Sequence, residues 1–359
     1  MNYFSVHAIA DRYGAKNVVH ATWPVRFMEM EGQKEIAKIF ERIADDLEIR
    51  VLIIIEAIPG TTAALDALLE KRSDMLIIAC GLMENGIIAN ANLMLATDAE
   101  KMWESIPCQA QRLGAKTLVY YGKFTHYSWS AYMLEKCDEI GLHFVHIDIP
   151  SPESVVAGYN MWKEDFSKAK NFILEDMPKQ IAEYGTDTAF YGRYCYQQEP
   201  LIKLCIEQGG IYPQTCCPSP YHGFSQILGS KAPISTEGED GSGIKIEGVV
   251  EMVEKTTAML EEKGVLGRFS TWLVPEQSLF IWAAADYGIR WMKGEVSKEG
   301  IDIGALRACM EVYTGPGVEI AHFEEGEVSH ENYLLITEPY YTYGDPLPPG
   351  ILQMSPRGE

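Results

Sequence analysis

The feature that most constrains the fold is a strand–helix–strand unit in residues 188–215. A short apolar run over 188–191 stops at Gly192, and a helical pattern over 199–208 is closed by a pair of glycines. A second strand follows over 211–215. Because a helix between two strands at this spacing forms a crossover connection, the stretch predicts a parallel sheet.

The same alternation of strand and helix recurs along the chain. Continuous apolar runs over 51–56 and 75–80 are typical of strands buried on both faces of a sheet, and residues with helical periodicity separate such runs. The other predicted strands lie at 16–22, 93–96, 117–121, 143–147, 268–273 and 332–337. Because parallel strands joined by crossover helices form doubly wound sheets, the sequence predicts the α/β class.

Two successive arrays of this kind predict two lobes, each with its own doubly wound parallel sheet. The N-terminal lobe is predicted to contain 1–113 plus 274–300. The C-terminal lobe is predicted to contain 114–273 plus 301–359. We expect a ligand cleft between the two sets of strand ends, because open α/β sheets bind ligands beyond the carboxyl ends of their strands.

Composition excludes several classes of function. The chain of 359 residues has a net charge of −21, which repels a phosphate backbone, so no direct nucleic-acid partner is expected. No apolar run reaches the length of a transmembrane helix, which predicts no membrane insertion. The residues after Met1 lack the basic start and apolar core of a signal peptide, so the chain is expected to be cytoplasmic if Met1 is the true start.

The cysteines predict neither a metal site nor a cofactor site. None of the eight forms a CxxC pair, and no Cys/His spacing matches a zinc site. Cys108, Cys137, Cys205 and Cys309 lie in helical patterns, where buried thiols act as small hydrophobic side chains. Scattered free thiols fit a reducing compartment.

No enzyme signature is found in the sequence. The chain contains no GxSxG, Walker-loop or HExxH motif. His143 and His146 point to opposite faces of one predicted strand, so they cannot share a metal ion. The sequence therefore predicts that the protein is not an enzyme.

The candidate ligand-binding residues are small, polar or aromatic residues that follow the predicted strands. We expect ligand contacts from Trp23, Glu56, Thr61, Gly81, Lys123, His126, Arg193, Gln197, Tyr221 and His222. Each residue alone has the character of an ordinary surface side chain. Together they lie where this fold requires a cleft.

Two of these residues also have simple structural explanations. Thr61 begins a helix, where its hydroxyl and the free N–H groups could hold a polar or anionic ligand, or where it could serve as an N-cap. The ring of Trp23 could stack on a sugar or a base, or could be a hydrophobic lid at the hinge between lobes. The sequence leaves both alternatives open.

Six motifs give the chain a resemblance to a family of uncharacterised bacterial proteins. They are HATWP (20–24), IPGTTAAL (58–65), LGAKTLVYY (113–121), FILEDMPKQIAEYGTDTAF (172–190), QEPLIKLCIEQGGIY (198–212) and CCPSPYHG (216–223). That family resembles type I periplasmic (ABC-transporter) solute-binding proteins, akin to basic-membrane-protein lipoproteins and to the effector domain of the lactose repressor. The resemblance covers nearly the whole chain.

The resemblance implies a protein that closes two lobes over a small polar solute, such as a sugar or a nucleoside, and serves uptake or sensing. For uptake it implies a membrane transporter permease as the partner. The alternatives are a cytoplasmic effector-binding module of a transcriptional regulator and, third, an enzyme of similar shape.

The resemblance also bears on the start of the chain. Family members begin with a signal or lipoprotein segment and an apolar first strand, whereas this chain opens in what corresponds to the first helix. We therefore expect the first strand of the N-terminal lobe to be missing, so that 17–22 and 51–55 lack the strand that separates them. The family itself is expected to be exported or lipid-anchored.

Overall fold

The structure is a computed structural model that describes residues 2–123, 129–150, 166–229 and 248–353. His126 and the glycine-rich stretch 235–243 lie outside the described residues. The helices of the described chain are α1 (Asn2–Tyr13), α2 (Met30–Asp45), α3 (Thr61–Lys71), α4 (Ala99–Arg112), α5 (Trp129–Ile140), α6 (Ser167–Tyr184), α7 (Cys195–Gln208), α8 (Phe224–Ile227), α9 (Val249–Glu262), α10 (Glu276–Lys293), α11 (Ile303–Thr314) and α12 (Pro349–Gln353). The strands are β1 (Val51–Ala57), β2 (Leu76–Leu82), β3 (Leu93–Thr97), β4 (Thr117–Tyr121), β5 (His143–Ile147), β6 (Thr188–Gly192), β7 (Ser270–Trp272), β8 (Glu319–Glu325), β9 (Val328–Thr337) and β10 (Tyr340–Thr342).

The chain divides into two compact units. The first unit contains the residues up to Asp98, then Glu276–Pro339, and then the segment from Pro348. The second unit contains Ala99–Pro275 and Tyr340–Leu347. Each unit has its own parallel sheet, which confirms the predicted α/β class with two lobes.

The sheet of the first unit has the strand order β1-β2-β3-β9-β8. The first four strands in that order run parallel, and β8 pairs antiparallel with β9. On one face, α2 buries an apolar stripe with a four-residue spacing, formed by Ile36, Phe40 and Ala44. On the other face, α10 approaches so closely that a Cβ at Gly288 would lie 2.8 Å from Val51 Cγ1.

The strand predicted at 16–22 is not formed. The chain makes a 3₁₀ turn over Ala15–Asn17 and then continues without strand pairing, with Val19 70% exposed. No described strand pairs with this segment, so its apolar β-forming residues are not part of a ladder. Among the described strands, β1 pairs only with β2 and forms the edge of the sheet.

The sheet of the second unit begins with the parallel order β5-β4-β6. Parallel bridges extend it from Ala189 to Ile211 and from Tyr212 to Phe269, and β7 then pairs antiparallel with β10. The core of one face contains Trp103 of α4 together with side chains of α5 and β4. This order places the chain after Tyr212 directly beside the carboxyl end of β6.

The predicted lobe boundaries differ from the observed units mainly in two long stretches. Residues 99–113 belong to the second unit, because α4 packs against α5 and fills the core of that sheet. Residues 301–339 belong to the first unit, because β9 pairs with β3. Both differences arise from tertiary packing, which local periodicity does not report.

No helix within the described ranges combines the length and the apolar character that crossing a bilayer requires.

Candidate functional site

A glutamate with a strained backbone, Glu56, lies near the C-terminal end of β1. Glu56 has a φ of 51°, and it is the one non-glycine residue with a positive φ among those that the structure describes. Such a backbone costs on the order of 1–3 kcal/mol and persists mainly at functional sites. The amide of Gln277 donates a hydrogen bond to the Glu56 carboxylate. At the end of β2, Gly81 has a φ of 74°, and a Cβ there would lie 4.0 Å from Glu56 Cγ, so the predicted residues Glu56 and Gly81 are neighbours.

The first turn of α3 presents hydroxyls beyond the same edge of the sheet. The N-cap of α3 is Gly60, so the simple N-cap explanation for Thr61 is wrong. Thr61 is fully buried, and its Oγ1 has no hydrogen-bond partner among the described residues. The Oγ1 of Thr62 is likewise buried and without a partner there, while its main-chain N–H donates to Glu84 Oε2 at 2.9 Å. Buried polar atoms of this kind are rare and are expected to bind a ligand or water.

Trp23 is held against the first unit from two sides. Its Nε1–H donates to the Ile55 carbonyl oxygen at 2.8 Å, and its ring stacks on Phe40 with 6.3 Å between ring centroids. The hydrogen bond uses a carbonyl of the edge strand β1. One face of the indole is therefore occupied, so at most the other face is left for stacking on a solute.

In the second unit, Arg193 follows β6 and lies over aromatic rings. Its guanidinium carbon is 5.9 Å from the centroid of Trp103 and 6.0 Å from that of Tyr194. The ring of Trp103 in turn lies perpendicular to that of Tyr191, with 5.4 Å between the ring centroids. Such cation–π contacts orient the guanidinium plane and leave its N–H donors for another acceptor.

Two tyrosine hydroxyls near Arg193 are buried and have no hydrogen-bond partner among the described residues. Tyr120 of β4 and Tyr191 of β6 are paired in the sheet, and their rings stack with 6.3 Å between the ring centroids. A Cβ on Gly122 would overlap the Tyr120 hydroxyl, so glycine is required there. Burial raises the pKa of both hydroxyls well above the ordinary value, so both remain protonated hydrogen-bond donors.

Other predicted residues of the second unit have structural roles or lie apart. Gln197 is fully buried: its Nε2 donates to the Tyr121 carbonyl at 3.1 Å, and its Oε1 accepts from the Tyr194 N–H at 2.7 Å. Tyr221 is buried, and its carbonyl accepts two hydrogen bonds from Ser225. Lys123 is exposed after β4. Contacts between a solute and these residues stay predictions.

His222 is brought into a cluster with three cysteines, named here the thiol–imidazole cluster: Cys195, Cys216, Cys217 and His222. Cys216 Sγ lies 3.9 Å from Cys195 Sγ, 3.9 Å from Cys217 Sγ and 3.9 Å from His222 Nδ1. All four potential ligand atoms lie within 4.8 Å of one another. Cys195 is the first residue of α7, and the other three belong to the loop that follows Tyr212.

The loop that contributes three of these residues is braced by its own side chains. Thr215 Oγ1 donates to the Cys217 carbonyl at 2.9 Å and accepts from the Ser219 N–H at 3.3 Å. Ser219 Oγ accepts from the His222 N–H at 3.3 Å. These hydrogen bonds hold the turn that places Cys217 and His222 on the same side.

The electrostatics of the cluster follow from this proximity. Hydrogen bonds from Cys216, Cys217 and His222 hold the pKa of Cys195 far below its ordinary value, and the amino end of α7 favours the thiolate in the same way. Burial alone would lower the pKa of His222, but hydrogen bonds and charge from Cys195 and Cys217 raise it to about 10. Both shifts act in the same direction, since each favours a thiolate at Cys195 and a protonated imidazole at His222.

Spacing rules missed this cluster. The four residues are separated by 21, 1 and 5 positions in sequence, which no zinc template matches. The usable signal was topological, because the ends of two adjacent parallel strands lie together. The cysteine outside the cluster whose environment was wrongly predicted is Cys108, which is exposed rather than buried.

Comparisons with known proteins show the fold and the family. A provisionally assigned transcriptional regulator from Clostridium difficile 630 has a solved structure that matches with a TM-score of 0.77 at 21% identity, over 95% of each chain, so it shares the fold. A periplasmic sugar-binding protein of an ABC sugar transporter from Legionella pneumophila matches with a TM-score of only 0.38 at 8% identity, over 82% of this chain and 92% of that chain.

Among curated proteins, an uncharacterized protein of Treponema pallidum (strain Nichols) is 26% identical over 177 residues, which cover 47% of this chain and 78% of the relative. A family profile matches residues 1–270, and its description is "Protein of unknown function (DUF3798)". Since that match spans most of the 359 residues, the chain belongs to the DUF3798 family.

Proposed function

We propose that this protein binds a small polar solute, such as a sugar or a nucleoside, at the carboxyl ends of its strands and performs no reaction on it. The observation that carries the proposal is the strained backbone of Glu56 at the end of β1, followed at the start of α3 by the hydroxyls of Thr61 and Thr62, which are buried and have no hydrogen-bond partner among the described residues.

The protein without a solute bears two energetic costs at this edge of the sheet. A positive φ at Glu56 costs on the order of 1–3 kcal/mol, and a buried polar atom without a partner costs about as much. A solute hydroxyl could donate to the Glu56 carboxylate and accept from a threonine hydroxyl. Hydrogen bonds to a charged acceptor are the stronger kind, so a polyhydroxylated or amide-bearing solute suits this set of groups.

The second unit offers groups of complementary character. Arg193 provides planar N–H donors, and Tyr120 and Tyr191 provide buried hydroxyl donors beside aromatic rings. Aromatic and guanidinium planes stack well on sugar and base rings. The same chemical class of solute is therefore favoured by the strand ends of each unit.

The biological role we propose is uptake or sensing of this solute. In uptake, the protein would be exported or lipid-anchored and would deliver the solute to a membrane permease. This assignment rests on the resemblance of the sequence motifs to solute-binding proteins, and the absence of catalytic motifs supports binding without turnover.

A second candidate is the effector-binding module of a transcriptional regulator. It is favoured by the likeness to the Clostridium difficile 630 protein. Against it, the net charge of −21 opposes contact with DNA by this chain itself. The two candidates share the binding step and differ in the partner of the solute-bound form.

A thermal-shift screen of the full chain against sugars, nucleosides and related compounds tests the proposal. We expect one chemical class to raise the melting temperature in a concentration-dependent way, because a ligand that binds the native state stabilises it by mass action. Mass spectrometry after prolonged incubation should recover that solute unchanged. Consumption of the solute would show an enzyme and would overturn the proposal.

The screen also needs a variant that removes the carboxylate while preserving shape. Glu56→Gln should abolish most of the shift, whereas Glu48→Gln, which changes an exposed carboxylate before β1, should retain it. If the solute raises the melting temperature equally in the wild type and in both variants, Glu56 does not contact the solute.

A further inference from the structure

We propose that the thiol–imidazole cluster binds one zinc ion through Cys195, Cys216, Cys217 and His222. The proposal goes beyond solute binding, because it needs no ligand at the Glu56 edge. It rests on the positions of the four ligand atoms and on the chemistry of three sulfurs with one nitrogen.

The geometry of the cluster is close to that of a single tetrahedral ion. A zinc–sulfur bond of about 2.3 Å in a tetrahedral site separates two sulfur ligands by roughly 3.8 Å. Cys216 Sγ lies 3.9 Å from each of the two other sulfurs and from His222 Nδ1. All four atoms fit within 4.8 Å, so closure around one ion needs shifts of a few tenths of an ångström for the three pairs that include Cys216 and of at most about 1 Å for the other three.

The ligand types select the metal. Three thiolates and one imidazole are a soft donor set, which excludes calcium and magnesium because those ions prefer oxygen. Iron–sulfur clusters are also disfavoured here, since their four protein ligands are divided among two or more iron atoms, so that the four cannot all lie as close together as ligands of one ion. A Cys₃His set is one of the usual structural zinc sites.

The distances also argue against a disulfide as the resting state. Bonded sulfurs lie about 2.0 Å apart, whereas the sulfur pairs that involve Cys216 are at 3.9 Å. Cys216 Sγ lies equally far from two other sulfurs, whereas a disulfide would bring it close to only one of them. A shared ion explains the equal distances.

The surroundings hold the ligands without depending on the metal. Gln198 Oε1 accepts a hydrogen bond from the Cys216 N–H at 3.0 Å, and Thr215 braces the Cys217 carbonyl. His222 Nδ1 lies 3.3 Å from that same carbonyl, so on binding the imidazole would exchange this contact for the ion and leave Nε2 as the donor. Supporting hydrogen bonds of this kind orient metal ligands.

The position of the cluster indicates how an ion would enter and which segments it would join. Cys195 and Cys217 are exposed, so an ion can enter from solvent. Three ligands come from one loop and the fourth from the start of α7. The zinc ion would therefore tie the loop after Tyr212 to that helix, beside the strand ends of the second unit.

The test uses the full chain, purified without chelator, and zinc alone as the probe. We expect elemental analysis to find one zinc per chain. Replacement by cobalt should give the intense visible bands of a tetrahedral ion and a thiolate-to-cobalt charge-transfer band. Fewer than half an equivalent of zinc after dialysis against micromolar zinc, or a cobalt spectrum without thiolate bands, would overturn the proposal.

Variants assign the ligands, with an exposed cysteine outside the cluster as the matched control. Cys216→Ser and His222→Ala should each weaken zinc binding at least tenfold in a competition titration, whereas Cys108→Ser, at an exposed position on α4, should bind as the wild type does. Equal weakening in the control would refute the assignment.

A measurement on the wild type identifies the ligands even if the variants do not fold. Zinc should shield three cysteines from alkylation under native conditions, and mass mapping should place them at 195, 216 and 217. Shielding of other cysteines instead, or a disulfide within the cluster in freshly purified protein, would overturn the proposal.

Discussion

The main-chain N–H of Cys216 donates a hydrogen bond to Gln198 Oε1 at 3.0 Å. The same oxygen accepts from the Tyr212 hydroxyl, and Gln198 Nε2 donates to the carbonyls of Gly192 and Tyr194 at 2.8 Å each. One fully buried amide thus joins the end of β6, the start of α7 and the loop that carries three members of the thiol–imidazole cluster. It makes Gln198 a positioning residue for that cluster.

The first prediction follows from this network. Gln198→Ala removes no metal ligand, but it frees the Cys216 N–H and should weaken zinc binding about 10- to 100-fold. Gln226→Ala, at an exposed glutamine of α8, is the control and should have no effect. The measurement is a zinc competition titration, and the cobalt spectrum should keep its tetrahedral bands with altered intensity. Unchanged affinity in Gln198→Ala would show that the loop is positioned without it.

The second prediction concerns the close approach of α10 to β1. Gly288→Ala would place a Cβ 2.8 Å from Val51 Cγ1 and 3.2 Å from Val51 Cγ2, so the helix or the strand must shift. We expect a loss of about 1–3 kcal/mol in the free energy of unfolding, as for other overpacked cores. Urea denaturation measures it.

A second helical glycine supplies the control for that experiment. Gly304 lies in the first turn of α11 and is exposed, and a Cβ there would lie 3.4 Å from its nearest neighbour, Asp302 Oδ1. Gly304→Ala should be neutral or slightly stabilising, because alanine has the higher helix propensity. Equal losses in both variants would contradict the packing explanation.

The third prediction is a pH dependence from Asp187. Its hydrogen bond with Lys116, at 2.9 Å, and the nearby charges of Lys116 and Arg268 hold the pKa of the Asp187 carboxyl below the ordinary value of 3.8. A lowered carboxyl pKa stabilises the folded state above the unfolded value, and that contribution is lost as the pH falls through the folded value. The melting temperatures of wild type and Asp187→Asn should therefore differ at neutral pH and converge in acid.

The control for this titration is Asp11→Asn, which changes an exposed carboxylate of α1. Its melting curve should stay parallel to that of the wild type across the same pH range. A constant difference between wild type and Asp187→Asn at every pH would show that the ion pair is not the cause.

The fourth prediction tests the solute contact expected from Arg193. Its guanidinium lies over Trp103 with N–H donors left for a solute. Arg193→Ala should remove a charge-assisted hydrogen bond and cost about 1.5–3 kcal/mol of binding, roughly 10- to 200-fold in affinity. Arg112→Ala, at an exposed arginine that ends α4, is the matched control. If both variants bind the solute as the wild type does, Arg193 is not part of the site.

The sequence predicted those parts of the fold that depend on local pattern. The apolar runs that became β2 and β4 could be recognised because buried parallel strands are continuously hydrophobic, and the same composition revealed β1, although this edge strand is mostly only partly buried. The segment 16–22 has the same β-forming composition, but no described neighbour pairs with it. A strand needs a partner, and the partner is not encoded in the strand itself.

The candidate site was predictable where topology alone decides it. Glu56 and Gly81 are the second-to-last residues of β1 and β2, and Arg193 directly follows β6, so all three lie at carboxyl ends of strands, as the parallel-sheet rule requires. The positive φ of Glu56, and the Thr61 hydroxyl that has no partner among the described residues, could not be predicted, since both depend on the three-dimensional structure. The thiol–imidazole cluster was missed because spacing templates consider one segment at a time, whereas Cys195 and Cys216 belong to the ends of neighbouring strands.

The most direct test of the account is a calorimetric titration of the full chain with the solute that the thermal-shift screen identifies, repeated on Glu56→Gln. The account predicts that Glu56→Gln lowers the affinity roughly 10- to 200-fold, because a charged acceptor becomes a neutral one, while the melting temperature without solute stays the same. An unchanged affinity in a folded Glu56→Gln protein, or the absence of any binding solute among sugars and nucleosides, would contradict it.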